Sequence, residues 1–182
     1  MKNFFLKKKV FLIAEIGINH NGSLKKAIKL VDAAIKAGVS AVKFQTYKTE
    51  LRVKKDSPIF SILKKCELSN EDFFIIKKYC DKKKIIFFST PFDINSIEFL
   101  EKINVKLYKV SSFDISNFQL INRILQTKKP IIFSTGMASL KEIKKTYNIC
   151  KIKKNNHALL HCVSSYPTKE EDSLLGNIKF LK

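Results

Sequence analysis

Two lysines stand inside apolar runs that read as β-strands: Lys43 in Ala41-Val42-Lys43-Phe44, and Lys109 in Lys106 to Val110. An ammonium taken out of water is costly without a counter-charge, so each is expected to point at an anion or a carboxylate. Polar groups also gather where the strand-like runs end. Glu15 closes the first, with Asn19-His20-Asn21 just beyond, and Gln45 closes the second. Ser89-Thr90 ends the third, and Ser111, Ser112 and Asp114 follow the fourth. Ser134-Thr135-Gly136 ends the fifth, and His161-Cys162-Val163-Ser164-Ser165-Tyr166 the sixth. Two lysines, several hydroxyls and a glycine-flanked turn on one rim describe a site for phosphate plus carboxylate. Each group has a plainer reading. A strand-end Ser or Thr is often a helix cap, and a strand lysine can snorkel to the rim. His161 reads as a hydrogen-bonded core histidine, because no second histidine or acid stands at metal-ligand spacing. The recurrence of polar groups at every strand end outweighs the plainer readings.

The elements that carry these residues alternate regularly. Val10 to Ala14 reads as the first strand, and Ser23 as the cap of a helix with Leu24, Ala27, Ile28, Val31, Ala34 and Ile35 on its apolar face. Gly38 stops that helix. Ala41 to Phe44 is the second strand, and Thr46 to Pro58 a long polar loop. Ser69-x-x-Asp72 resembles a capping box and opens a helix carrying Phe73, Ile76 and Cys80. Ile85 to Phe88 is the third strand, followed by a helix with Ile97, Leu100 and Ile103. Lys106 to Val110 is the fourth, with Leu120, Ile121 and Ile124 on its helix. Ile131 to Phe133 is the fifth. Ser139-x-x-Glu142 then caps a helix with Leu140, Ile143, Tyr147 and Cys150. Ala158 to His161 is the sixth, and Asp172 to Lys182 is expected to be helical.

Successive β–α units imply parallel strands joined by helical crossovers. A full (β/α)8 barrel takes ~250 residues, and this chain of 182 residues ends after the sixth unit. No G-x-G-x-x-G follows the first strand, which argues against a dinucleotide-binding sheet. The expected fold is a TIM-type (β/α)8 barrel with about six of its eight units, spanning residues 1–182.

Composition narrows the function classes. A hydrophobic fraction of 45% against 28% charged excludes intrinsic disorder. No apolar run reaches the ~18 residues of a membrane helix, and the apolar run near the N-terminus breaks at Glu15 without a cleavage site. Four scattered cysteines without a C-x-x-C pair read as reduced thiols of a cytoplasmic protein. The formal net charge is +19, from 35 Lys and Arg against 16 Asp and Glu. Only Arg52 and Arg123 are arginines, and the lysines are spread in pairs and triplets such as Lys7-Lys8-Lys9, Lys82-Lys83-Lys84 and Lys153-Lys154. That distribution reads as solvated faces rather than a nucleic-acid patch. It still favours anionic small substrates.

Ordered motifs then point to a family. The stretch Phe11-Leu12-Ile13-Ala14-Glu15-Ile16-Gly17-Ile18-Asn19-His20-Asn21-Gly22 resembles the opening of the sialic acid synthases. So do Val42-Lys43-Phe44-Gln45-Thr46, Ser89-Thr90-Pro91-Phe92-Asp93, Tyr108-Lys109-Val110, Ser134-Thr135-Gly136-Met137, and Leu160-His161-Cys162 through Tyr166-Pro167. The resemblance implies a TIM barrel that condenses phosphoenolpyruvate with an N-acylated amino sugar such as N-acetylmannosamine. Carbon–carbon bond formation gives a nine-carbon 2-keto acid and phosphate. It implies phosphoenolpyruvate contacts at Lys43, Thr90, Lys109, Ser112, Ser134 and Ser164, and sugar contacts at Gln45, Asp114 and Tyr166. Glu15 is the implied acid/base or water-orienting group. Some members have Asn where Ser164 stands. Many have Glu for Asp114 and Gly for Phe113, and the Phe occurs in pseudaminate-type relatives. A divalent metal, Mn2+ or Mg2+, is the implied cofactor, with its histidines on segments beyond this chain. The loop from Thr46 to Ile62 is shorter than in many members. The antifreeze-like C-terminal domain of the family, which serves a homodimer, is absent. The alternative reading is a catalytically inactive remnant, or half of a split enzyme, that keeps only phosphoenolpyruvate or anion binding.

Overall fold

The structure, a computed structural model, describes residues 10–181. The Lys7-Lys8-Lys9 triplet lies outside the described residues. The described residues form two compact units, 10–106 and 107–181.

In the first unit, β1 (Ile13–Gly17), β2 (Ala41–Thr46) and β3 (Ile86–Pro91) pair in parallel. The helix α1 (Leu24–Lys36) follows β1. The short α2 (Thr49–Arg52), α3 (Phe60–Cys66) and α4 (Asn70–Lys82) follow β2, and α5 (Ile94–Lys102) follows β3. Ser23 Oγ accepts the Lys26 N–H at the start of α1, and Ser69 with Asp72 forms a complete capping box on α4. Asp93 caps α5 by accepting the Ser96 N–H. Each cap satisfies a backbone donor that the first helical turn leaves without a partner. Gly22 has a positive φ of 71°, and a Cβ there would lie 2.1 Å from the backbone oxygen of Lys65. Only glycine fits that turn. Phe44, Phe73 and Phe87 pack as a buried aromatic cluster, with ring centroids 5.4–6.4 Å apart.

The second unit repeats the pattern with β4 (Tyr108–Val110), α6 (Phe118–Gln126), β5 (Ile131–Ser134), α7 (Leu140–Ile152) and β6 (His157–Leu160). Its three strands are parallel. Asn117 caps α6, and Ser139 with Glu142 forms the capping box expected on α7. The alternation through both units is that of an incomplete (β/α)8-type barrel with six β/α units. Among the described residues no helix is long and apolar enough to cross a membrane. All four cysteines are free. Burial pushes the thiols of Cys80 and Cys150 up to about 12, so neither carries a thiolate at neutral pH.

Several boundaries differ from expectation. The first strand begins at Ile13, not Val10, because its pairing with β2 starts at Ile13 opposite Ala41. Val10 is left 81% exposed. The third strand runs on through Ser89-Thr90-Pro91, since β2 offers backbone partners as far as Thr46. The polar stretch from Thr46 to Pro58 contains α2 and leads directly into α3. On α7, Thr146 is buried and donates to the Ile115 carbonyl at 2.8 Å, whereas Leu140 and Tyr147 are exposed. The helix expected from Asp172 is instead a 3-10 turn (Glu171–Ser173) and a short α8 (Asn177–Leu181). Leu174 takes a left-handed conformation between them, and the apolar side chains of Leu174, Leu175 and Ile178 stay exposed. With its apolar stripe unburied, the segment lacks the packing that sustains a longer helix.

Candidate functional site

Side chains alternate between the two faces of a strand, so Lys43 and Gln45 share one face of β2 while Phe44 turns to the aromatic core. Strand register places Glu15 of β1 opposite Lys43, and Thr90 of β3 opposite Gln45. One face of the first unit's sheet therefore gathers Glu15, Lys43, Gln45 and Thr90. Lys43 Nζ lies 2.7 Å from Glu15 Oε2, with the lysine side chain 5% and the glutamate 52% exposed. The buried ammonium thus meets the carboxylate that its position in an apolar strand demands. Thr90 is buried. Gln45 Oε1 accepts from Arg52 Nη1 at 3.2 Å.

In the second unit, Lys109 of β4 and Ser134 at the end of β5 are both buried. Register sets Lys109 opposite Ile132, two residues before Ser134, so the two share a face. Beyond the strands, Ser112 Oγ accepts the Gly136 N–H at 3.0 Å. A Cβ on Gly136 would lie 2.8 Å from Ser164 Oγ and 2.9 Å from the Cys162 carbonyl oxygen. The missing side chain is what lets Ser164 and the Cys162 carbonyl approach the backbone whose N–H Ser112 accepts. Asp114 is buried, accepting from Ser111 Oγ at 2.6 Å and from Asn117 Nδ2 at 3.5 Å. Its carboxylate is held within the turn that leads into α6. Tyr166 is 97% exposed and is not drawn into either group. His161 donates from Nε2 to the Ser173 carbonyl at 2.7 Å, the hydrogen bond expected of it, but it is half-buried rather than in the core.

Three residues take roles that the sequence reading did not give them: His20 is noted there only as a polar group beyond the first strand, Arg52 only as one of two arginines, and Glu67 not at all. His20 is buried and stacks on Phe44, its ring 5.9 Å away. Its Nδ1 accepts the Gly22 N–H and its Nε2 donates to the Gly17 carbonyl, both at 3.1 Å. Burial lowers its pKa, which keeps the ring neutral, as an accepting Nδ1 requires. Glu67 binds the start of α2, accepting from the Thr49 N–H at 2.9 Å, Thr49 Oγ1 at 2.8 Å and Lys48 Nζ at 3.0 Å. Arg52 stacks its guanidinium on Phe92 at 3.7 Å and Tyr47 at 4.7 Å. The scarcity of arginine was the available signal for Arg52. For Glu67 no local motif announces a partner eighteen residues away.

Among the described residues no three His, Cys, Asp or Glu side chains converge closely enough to hold a metal ion.

Parallel β/α units in unbroken alternation, with lysines and hydroxyls buried on strand faces, define a barrel-type protein. The profile of the NeuB family matches residues 30–182. The N,N'-diacetyllegionaminic acid synthase of Legionella pneumophila is 38% identical over 89% of this chain and 51% of its own length. The pseudaminic acid synthase of Campylobacter jejuni is 36% identical over 99% of this chain and 57% of its own. The crystal structure of N-acetylneuraminic acid synthetase from Leptospira borgpetersenii, in complex with citrate, superposes with a TM-score of 0.91 and 40% identity. That match covers 94% of this chain and 60% of the other. The chain belongs to the NeuB family, the sialic acid synthase family that its motifs resemble. It spans about half the length of the curated relatives it matches.

Proposed function

We propose that this chain carries the phosphoenolpyruvate-binding part of nonulosonate synthesis, and that alone it binds the anion without completing the condensation. The buried Lys43 ammonium, facing a half-exposed Glu15 at 2.7 Å, carries the reading. A charge placed there has a use if a second anion comes to it, and hydrogen bonds to a charged donor are the strong ones. Lys43, Thr90, Lys109, Ser112, Ser134 and Ser164 are assigned to the phosphate and carboxylate of phosphoenolpyruvate. Gln45, Asp114 and Tyr166 are assigned to the N-acylated amino sugar. In the whole reaction the methylene carbon of phosphoenolpyruvate attacks the open-chain aldehyde, water adds to the resulting oxocarbenium centre, and phosphate departs. Fixing the phosphate and carboxylate aligns the two carbons, which is catalysis by orientation. Glu15 is assigned to orient or deprotonate the water. A homodimer, as in the resemblance, is the proposed assembly of the whole enzyme.

Two observations favour binding alone over the full activity. The chain matches about half of each relative, and no metal-binding cluster is formed among the described residues. A phosphate-release assay on the purified chain with phosphoenolpyruvate, N-acetylmannosamine and Mn2+ tests this. No release above the protein-free control is expected. Release that depends on the sugar would overturn the restriction to binding.

A further inference from the structure

The turn between β1 and α1 has its backbone in the left-handed region at three places: Gly17 with a φ of 56°, Asn21 with 51° and Gly22 with 71°. Such a run keeps its shape only where surrounding contacts fix it. The contact here is the His20 ring. It spans the turn, donating from Nε2 to the Gly17 carbonyl and accepting the Gly22 N–H on Nδ1. The ring is 1% exposed and stacks on Phe44 of β2. Both of its neighbours lead to the anion site. Gly17 stands on one side of the register irregularity of β1 and Glu15 on the other, while Phe44 follows Lys43 in β2. Glu15 and Lys43 are the pair that meets at 2.7 Å. The end of β1 is therefore held by this ring as well as by its pairing with β2.

Only the neutral ring can do this. With a proton on both nitrogens, Nδ1–H would face the Gly22 N–H, and two buried donors would meet with no acceptor between them. The surroundings do not offset that cost. Phe44 presents an apolar face, Ile18, Asn19 and Asn21 carry no charge, and the end of α3 presents the backbone of Lys65 and Cys66 to Gly22. Burial, the largest influence, lowers the pKa of the ring below the ordinary 6.5. The Gly17 bond and the charge of Asp72, in the first turn of α4, favour the proton but are outweighed. We propose that His20 is a positioning residue whose neutral ring latches the turn after β1, and with it the Glu15 carboxylate beside Lys43, and whose protonation in acid releases both, so that the anion site has an acid limit of its own. The proposal rests on the assignment of Lys43 to phosphoenolpyruvate and adds the group that keeps its surroundings in place. An ammonium already oriented by Glu15 loses less freedom when an anion arrives, and that advantage goes when the latch opens. The folded pKa lies below the unfolded one, so the latch is complete above about pH 6.5 and is lost as pH falls through the folded value.

The test is nuclear magnetic resonance of the 182-residue chain, with 15N in the backbone and the imidazole rings, between pH 7 and pH 5. At pH 7 the His20 ring should show a bare Nδ1 and a protonated Nε2. As the ring takes its second proton, the Gly22 amide should lose about tenfold in protection from hydrogen exchange, while the Phe87 amide in β3 keeps its own. His20→Asn leaves an acceptor near the Gly22 N–H but cannot titrate, so it should hold Gly22 protected throughout. His20→Phe keeps the stack on Phe44 and loses both hydrogen bonds, so it should leave Gly22 open at every pH. Calorimetry with phosphoenolpyruvate reads the consequence at the site. Between pH 7 and pH 5 the affinity of the wild type should fall about three- to tenfold more than that of His20→Asn, since the protonation of the ligand is common to both. Gly22 protection that does not follow the His20 titration overturns the proposal. So does a loss of protection shared by Gly22 and Phe87, which would mark a merely structural role, or an affinity profile that His20→Asn leaves unchanged. Failure of phosphoenolpyruvate to bind the wild type at pH 7 would defeat the functional reading and the acid limit with it, while the ring and Gly22 would still decide whether the latch exists.

Discussion

Replacing Lys43 by Met should weaken phosphoenolpyruvate binding by ~1.5–3 kcal/mol, roughly one to two decades in affinity. Methionine keeps much of the apolar stem between Val42 and Phe44 and removes only the charge. Glu15 loses its partner at 2.7 Å but is half exposed, so water can solvate the carboxylate and the fold is expected to survive. Lys109→Met should act in the same direction, because that lysine is also buried in its strand. The control is the double substitution of Lys153 and Lys154, both exposed beyond α7. A diffuse field of surface lysines would weaken by similar amounts whichever lysines were removed, and it would be screened by salt. Calorimetric titration separates the cases. Equal losses in the two strand variants and the surface variant would remove the grounds for a specific site.

The second large effect concerns acid. Burial alone would push the Glu67 carboxyl up. Hydrogen bonds from the Thr49 N–H, Thr49 Oγ1 and Lys48 outweigh it and hold the group at about 2, against an ordinary 4.5. The folded value lies below the unfolded one, so the stabilisation is complete above about pH 4.5 and is lost as pH falls toward 2. The side chain is 10% exposed, so solvent screening is modest and the contribution is roughly 2–3 kcal/mol. Glu67→Gln should lower stability by about that amount at pH 7 and flatten the acid limb. Urea midpoints of the wild type and the variant, compared between pH 7 and pH 3, should converge as the pH falls. Curves that stay parallel would show that Glu67 adds no acid dependence. The same carboxylate anchors α2, so its protonation also loosens the segment that holds Arg52 over Gln45.

Much of this was legible from local signals. Ser23, Ser69-x-x-Asp72 and Ser139-x-x-Glu142 announced helix starts because a cap is made within four residues, and the structure contains all three. Lys43 announced a counter-charge because an isolated ammonium in an apolar strand is too costly to leave unmet. What was hidden depends on partners distant in sequence. The limits of β1 and β3 follow from what β2 offers them, not from their own hydrophobicity. The helix expected from Asp172 had the right periodicity, but a stripe forms a long helix only where something covers it, and Leu174, Leu175 and Ile178 are exposed. Arg52 and Glu67 carry no spacing motif, and each acquires its role only once α2 folds back beside Gln45 and α3. The site residues at strand ends were legible as polar groups on a rim. Their assignment to phosphoenolpyruvate or sugar came from the family motifs.

In the proposed function the chain binds phosphoenolpyruvate through its own lysines and hydroxyls, with no metal required. The direct measurement is a calorimetric titration of the chain with phosphoenolpyruvate in the presence of EDTA, repeated with inorganic phosphate as competitor. Weak, saturable, one-to-one binding is expected, which EDTA leaves unchanged and phosphate displaces. Absence of saturable binding, or binding that appears only when Mn2+ is restored, would contradict it.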